Sequence, residues 1–212
     1  MKIIRTGTFQ PDYLYRPFQF NPKENIDAIL LKQLNYYIAF LERKIPEALP
    51  GYISALTSVF HILAGESNND YPASESLFNQ ADYPTLQKHP DLANATTRYF
   101  FSLLDEGQMQ EWSAESFEIS TNAMIKVWTW PFYYILRTLT ETIGREPAIS
   151  LFKEYVSSYY KDHPSPNQTN FEGLDAMCTK RTSGDTSNSV WVIDHAMLEP
   201  GKYAFKNNNC PT

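Results

Sequence analysis

MQEWSAESFEISTNAMIKVWTW, residues 109–130, is the stretch on which the fold turns. Trp112, Ile119, Ala123, Val127 and Trp130 mark one apolar side at helical spacing, and Phe117, Met124 and Trp128 mark a second. A helix apolar on two sides packs between neighbours, so the central helix of a bundle is expected here. Pro131 is expected to kink or end it, because proline supplies no N–H and its ring meets the preceding turn.

Downstream, Phe132, Ile135, Leu136, Leu139 and Ile143 form the next helical stripe, with Gly144 placed as its C-cap. Pro147 opens a further helix that turns Ala148, Phe152, Tyr155, Val156 and Tyr159 inward and stops at Pro164 and Pro166. Upstream, a helix begins at Pro90, carries Leu92, Tyr99, Phe100 and Leu103 inward and ends at Gly107. Residues 66–90, with Asn68-Asn69-Asp70 and three prolines, read as a long connection. Residues 51–64 form a helix burying Tyr52, Ile53, Leu56, Val59, Phe60 and Leu63. Asn21-Pro22 is a helix start, and Ile26, Leu30, Leu34, Tyr37, Ile38 and Leu41 follow on one face as far as Arg43. Residues 1–20 are expected to be an extended arm laid on the body through Tyr13, Tyr15, Phe18 and Phe20.

Beyond Pro166 the period changes from 3.6 to 2. Residues 177–182, 190–197 and 202–206 read as strands, the last two joined by the turn Glu199-Pro200-Gly201-Lys202. The expected fold class is therefore α+β, mainly a helical bundle with a small C-terminal antiparallel sheet. Residues 1–166 would be the helical body with its N-terminal arm, and 167–212 a three-stranded antiparallel subdomain. Three strands cover themselves poorly, so the sheet either packs on helices or belongs to a longer natural chain.

The 212 residues are 42% hydrophobic and 15% aromatic, enough to fill one core. Eighteen Lys and Arg against 24 Asp and Glu give a net charge of −6. That balance disfavours nucleic acid and anionic membrane surfaces, both of which select clustered positive charge. No apolar run approaches the roughly 20 residues that span a bilayer. Two cysteines, Cys178 and Cys210, are too few for a disulfide scaffold, and no apolar signal segment opens the chain. The expected setting is cytoplasmic, with a small-molecule substrate or a protein as partner and no cofactor assigned.

Each candidate for chemistry has a plainer reading beside it. Glu111, Glu115 and Glu118 share a stripe of the expected central helix, but no histidine follows a glutamate by three residues, so a solvated face is the simpler reading than a di-metal ladder. His61 shares a polar face with Ser54, Thr57 and Ser58 and is either a pocket base or half-exposed. His89 and His163 precede prolines and read as helix-boundary residues. Asp194 and His195 are neighbours on a strand and so point to opposite sides; His195, among Trp191 and Ile193, is the better site candidate. Trp128, Trp130, Tyr133 and Tyr134 crowd one junction and would make either core or a stacking pocket for a flat ligand.

The order of Ile143-Gly144-Arg145-Glu146, Leu151-Phe152-Lys153-Glu154-Tyr155, Cys178-Thr179-Lys180-Arg181, Trp191-Val192-Ile193-Asp194, Gly201-Lys202-Tyr203-Ala204-Phe205 and Cys210-Pro211 resembles the L-2-amino-thiazoline-4-carboxylic acid hydrolase family over residues 140–212. The resemblance implies a hydrolase that opens a C–N bond of a small cyclic amino-acid-derived substrate, with water attacking a polarised ring carbon. Cys210 would be its nucleophile or a structural thiol, and His195 its general base. Two alternatives stand beside it: a non-catalytic small-ligand module built on the aromatic cluster, and a helical partner protein that uses residues 66–90 and the N-terminal arm.

Overall fold

In the computed structural model, which describes residues 2–6, 12–21, 24–65, 82–104, 116–163, 193–199 and 202–207, the decisive stretch divides at Ser120. Residues 117–120 are a strand, not helix. This strand, β3 (Phe117–Ser120), pairs antiparallel with β2 (Pro17–Phe20), Phe20 opposite Phe117 and Pro17 opposite Ser120. Ser120 then takes an extended conformation, and its hydroxyl accepts from the N–H of Ala123 at 3.1 Å, an N-cap that starts the helix one residue later. The N–H and hydroxyl of Thr121 both donate to the Arg16 carbonyl, at 2.8 and 3.0 Å, pinning the junction to the strand pair. The expectation of a helix from residue 109 is thus corrected for 117–120; residues 109–115 lie outside the described residues.

The chain forms two units, one of Tyr15–Ser157 and one of Met1–Leu14 with Ser158–Thr212. In the first, the cap at Asn21, whose side chain accepts from the N–H of Glu24 at 3.0 Å, leads into a π-helical stretch Asn25–Leu31 and then helix α1 (Lys32–Lys44). Helix α2 (Leu49–Gly65) and helix α3 (Pro90–Ser102) follow, then α4 (Thr121–Ile143) and α5 (Arg145–Asp162). Ile26, Leu30, Leu34, Tyr37, Ile38 and Leu41 are buried, as their spacing demands. On α2 the buried residues are Leu49, Tyr52, Leu56, Phe60 and Ala64, a stripe narrower than the sequence suggests. It packs along α3.

Helix α4 runs through Pro131 to Ile143, so the helix does not end there. Proline inside a helix costs about 3 kcal/mol, yet its ring is buried here among Val127, Ile135 and Leu139 on the same face. Burial of several large side chains at ~1.5–3 kcal/mol each outweighs one lost bond. Tyr52 adds a buried hydrogen bond from its hydroxyl to the Ile135 carbonyl, 3.1 Å. Gly144 ends the helix with φ +87° and ψ 159°, a conformation that side chains rarely adopt.

In the second unit, β1 (Lys2–Thr6), β4 (Ile193–Glu199) and β5 (Lys202–Asn207) form an antiparallel sheet in the order β1-β4-β5. Glu199 pairs with Lys202, as the turn reading requires. The expected confinement of sheet to the C-terminal third is corrected: β1 comes from the N-terminus, and the two-stranded β2–β3 sheet lies wholly outside that third. The residues expected to be an extended arm laid on the body supply two strands, Lys2–Thr6 and Pro17–Phe20. The expected strand at 177–182 lies outside the described residues.

Candidate ligand-binding cleft

The polar face of α2 that carries Ser54, Thr57 and Ser58 does face a site. With Ile53 it forms one wall of a cleft of about 480 Å³. The opposite wall is Lys88, His89, Asp91 and the start of α3. That volume lies in the range of small-ligand sites. The hydroxyls of Thr57 and Ser58 donate back to the carbonyls of Ile53 and Ser54, at 2.8 and 2.9 Å. Their hydrogens are therefore committed, and their oxygens are left as acceptors on this wall.

The opposite wall is held by α1. Asn35 Oδ1 accepts from the backbone N–H groups of Thr85 and Leu86 at 2.9 and 3.1 Å, anchoring the short 3₁₀ turn Leu86–Lys88. Lys88 Nζ reaches both carboxylate oxygens of Glu42, at 3.0 and 3.2 Å. His89 then sits at the N-cap of α3, with no side-chain cap bond, and Pro90 follows in the first turn. Its backbone is used at both ends: its N–H donates to Leu86 and its carbonyl accepts from Ala93. Its Nε2 is sealed from solvent and has no partner among the described residues. Burial lowers the imidazole below its ordinary value, Glu42 opposes that shift, and Lys88 adds to it.

The site keeps the polar face of α2 but replaces its histidine. His61 is exposed on α2 and does not line the cleft, whereas His89, read as a boundary residue, does. The signal in the sequence was the His89-Pro90 helix start; which face it would meet is set by packing alone.

The aromatic candidates divide between two sides of α4. Trp128 packs edge-on to Phe18, centroids 5.8 Å apart, and its Nε1–H donates to Asn25 Oδ1 at 2.9 Å. Trp130 and Tyr133 are 47% and 57% exposed and gather on Tyr134, at 6.4 and 5.1 Å. Tyr134 stands edge-on to Tyr99, which stacks on Phe60 at 5.1 Å. The four rings therefore do not surround one pocket. Two positions apart on a helix is about 200° of rotation, which sends Trp128 and Trp130 different ways.

His195 lies on the middle strand β4, its backbone between Ile4 of β1 and Phe205 of β5. Its side chain and all of Cys210 lie outside the described residues, as do Cys178, Glu111 and Glu115; Glu118 is exposed on β3 rather than on a helix. Among the described residues no group of three or more His, Cys, Asp or Glu side chains could hold a metal ion, and no helix is long and apolar enough to cross a membrane. Comparison with protein-family models, with curated proteins and with solved structures finds no match to this chain.

Proposed function

We propose that the helical unit is a small-molecule-binding module whose ligand occupies the cleft between α2 and the start of α3. The cleft carries this reading: about 480 Å³, with hydroxyl acceptors on one wall and the 3₁₀ turn and first turn of α3 on the other. The first-turn N–H groups of Asp91 and Leu92 have no carbonyl within their own helix to reach, and Lys88, its ammonium held by Glu42, lines the same edge. Leu49, Pro50, Ile53, Pro90 and Leu92 give the apolar remainder. A ligand with hydrogen-bond donors along one edge and acceptors along the other, about the size of a modified amino acid or a nucleoside, matches that lining.

A thermal-shift screen with amino acids, sugars and nucleosides tests the reading. A true ligand at a hundred times its dissociation constant stabilises the fold by about 2.7 kcal/mol. The same compound is expected to leave Ser54→Trp unshifted, because an indole at that exposed helix position fills the cleft. If every compound that shifts the wild type shifts Ser54→Trp equally, the cleft is not the site.

The hydrolase reading and the cytoplasmic setting remain proposals that rest on the sequence, the first on the family likeness over residues 140–212. Turnover of cyclic amidines that His195→Ala leaves unchanged would remove the general-base role.

A further inference from the structure

We infer that the cleft is acid-sensitive: it stays formed while the His89 imidazole is neutral and opens at the start of α3 when that ring takes up a proton. The biological meaning of this rests on the cleft being the binding site, but the opening itself belongs to the protein without ligand.

Three features of the geometry converge on His89. Its Nε2 is shut away from water with no acceptor among the described residues, so a second ring N–H would have no hydrogen-bond partner in place. It stands at the N-terminus of α3, where the aligned backbone dipoles already present positive partial charge. Its neighbours give little relief. Lys88, on the 3₁₀ turn, repels a second cation; Glu42, on α1, attracts one but already holds the Lys88 ammonium with both oxygens. Asp91, on α3, is exposed, and the α2 wall brings only Leu49, Pro50, Ile53, Ser54, Thr57 and Ser58, none of them charged.

A protonated ring brings its Nε2–H to water by swinging out, which loosens the backbone of Lys88 and Pro90 on either side of it. Burial holds the folded-state ring below its ordinary value of 6.5, and the opened ring returns towards 6.5. In the window just below 6.5 the opened form therefore binds more protons than the closed one. Acid favours opening there, and the effect levels off once the pH is below the folded value.

Amide hydrogen exchange, corrected for intrinsic rates, tests this on the intact chain between about pH 7.5 and about pH 5. Protection of residues 84–95 is expected to fall by up to about tenfold per pH unit within the window, the limit for one proton, while residues 132–143 of α4 keep theirs. His89→Gln should be flat. A flat wild type overturns the inference, as does a parallel loss in α4, or a slope that survives in His89→Gln. Should that variant not fold, NMR titration of the His89 ring in the wild type decides: titration below 6.5 supports the inference and titration at or above it ends it. Exchange needs no ligand, so failure of the binding screen and failure of the acid opening are read separately.

Discussion

The helical unit and the β1-β4-β5 sheet are held together by different kinds of information. In the helical unit, burial follows local spacing: Leu49, Tyr52, Leu56 and Phe60 lie within one α2 stripe, and Leu34, Tyr37, Ile38 and Leu41 within one α1 stripe. In the sheet, the register sets Arg5 opposite Asp194, 189 residues apart in the chain. One region is written in periods of three and four, the other in a pairing that no window of sequence contains. The difference predicts that single substitutions will act strongly where side chains interlock and weakly where backbone pairing does the holding.

The largest effect is expected at Phe20. It is the point where the short β2–β3 pair enters the helical core, fully buried, with ring centroids 6.0 Å from Phe100 and 6.1 Å from Phe117. Phe20→Ala should lower the unfolding free energy by about 3–5 kcal/mol, the usual loss for removing a buried aromatic ring. Urea denaturation with circular dichroism measures it. A loss below about 0.5 kcal/mol, the scale of an ordinary surface change, would mean that β2 is laid on the core rather than built into it.

The same contrast explains what could be read in advance. Helix α2 was legible within two residues at its start, and Gly144 and Pro90 were legible as punctuation, because each acts through its own neighbours. Residues 117–120 were not, since Phe117 and Ile119 suit a helix face as well as a strand. Only the Ser120 hydroxyl and the partner strand at Pro17–Phe20 decide between them. Pro131 misled as a helix end for the opposite reason: its local preference is real, but buried packing along α4 carries the helix past it. Of the cleft, the Ser54, Thr57 and Ser58 wall was visible as a polar helix face, whereas His89 became part of it only through the packing of α3 on α2.

A smaller effect is expected at Gly144, where local sequence alone sets the geometry. Its backbone lies in a region essentially reserved for glycine, and an added Cβ meets nothing closer than Pro147 Cδ at 4.0 Å. Backbone strain is therefore the whole expected cost of Gly144→Ala, about 1–3 kcal/mol. An unchanged thermal midpoint would show that the α4–α5 turn relaxes to accept a side chain, and would weaken the claim that this unit is specified residue by residue.

The smallest effect is expected at Arg5, although its geometry is good. Its Nε and Nη2 meet the two oxygens of Asp194 at 2.6 and 2.8 Å, a bidentate pair between β1 and β4. Asp194 raises the guanidinium further above its ordinary value, through that hydrogen bond first and through charge second. Arginine is charged at any working pH in either case, so this shift supplies no pH dependence. The Arg5 side chain is 65% exposed, and water and salt screen what the pair gains. Arg5→Ala should therefore shift the denaturation midpoint only slightly at low salt. At molar salt, where the screening length is about 3 Å, the difference from the wild type should vanish. A shift as large as that of Phe20→Ala, persisting in salt, would mean that this one side-chain pair, and not the backbone register from Lys2 opposite Met197 to Thr6 opposite Ile193, joins the N-terminal strand to the rest of its sheet.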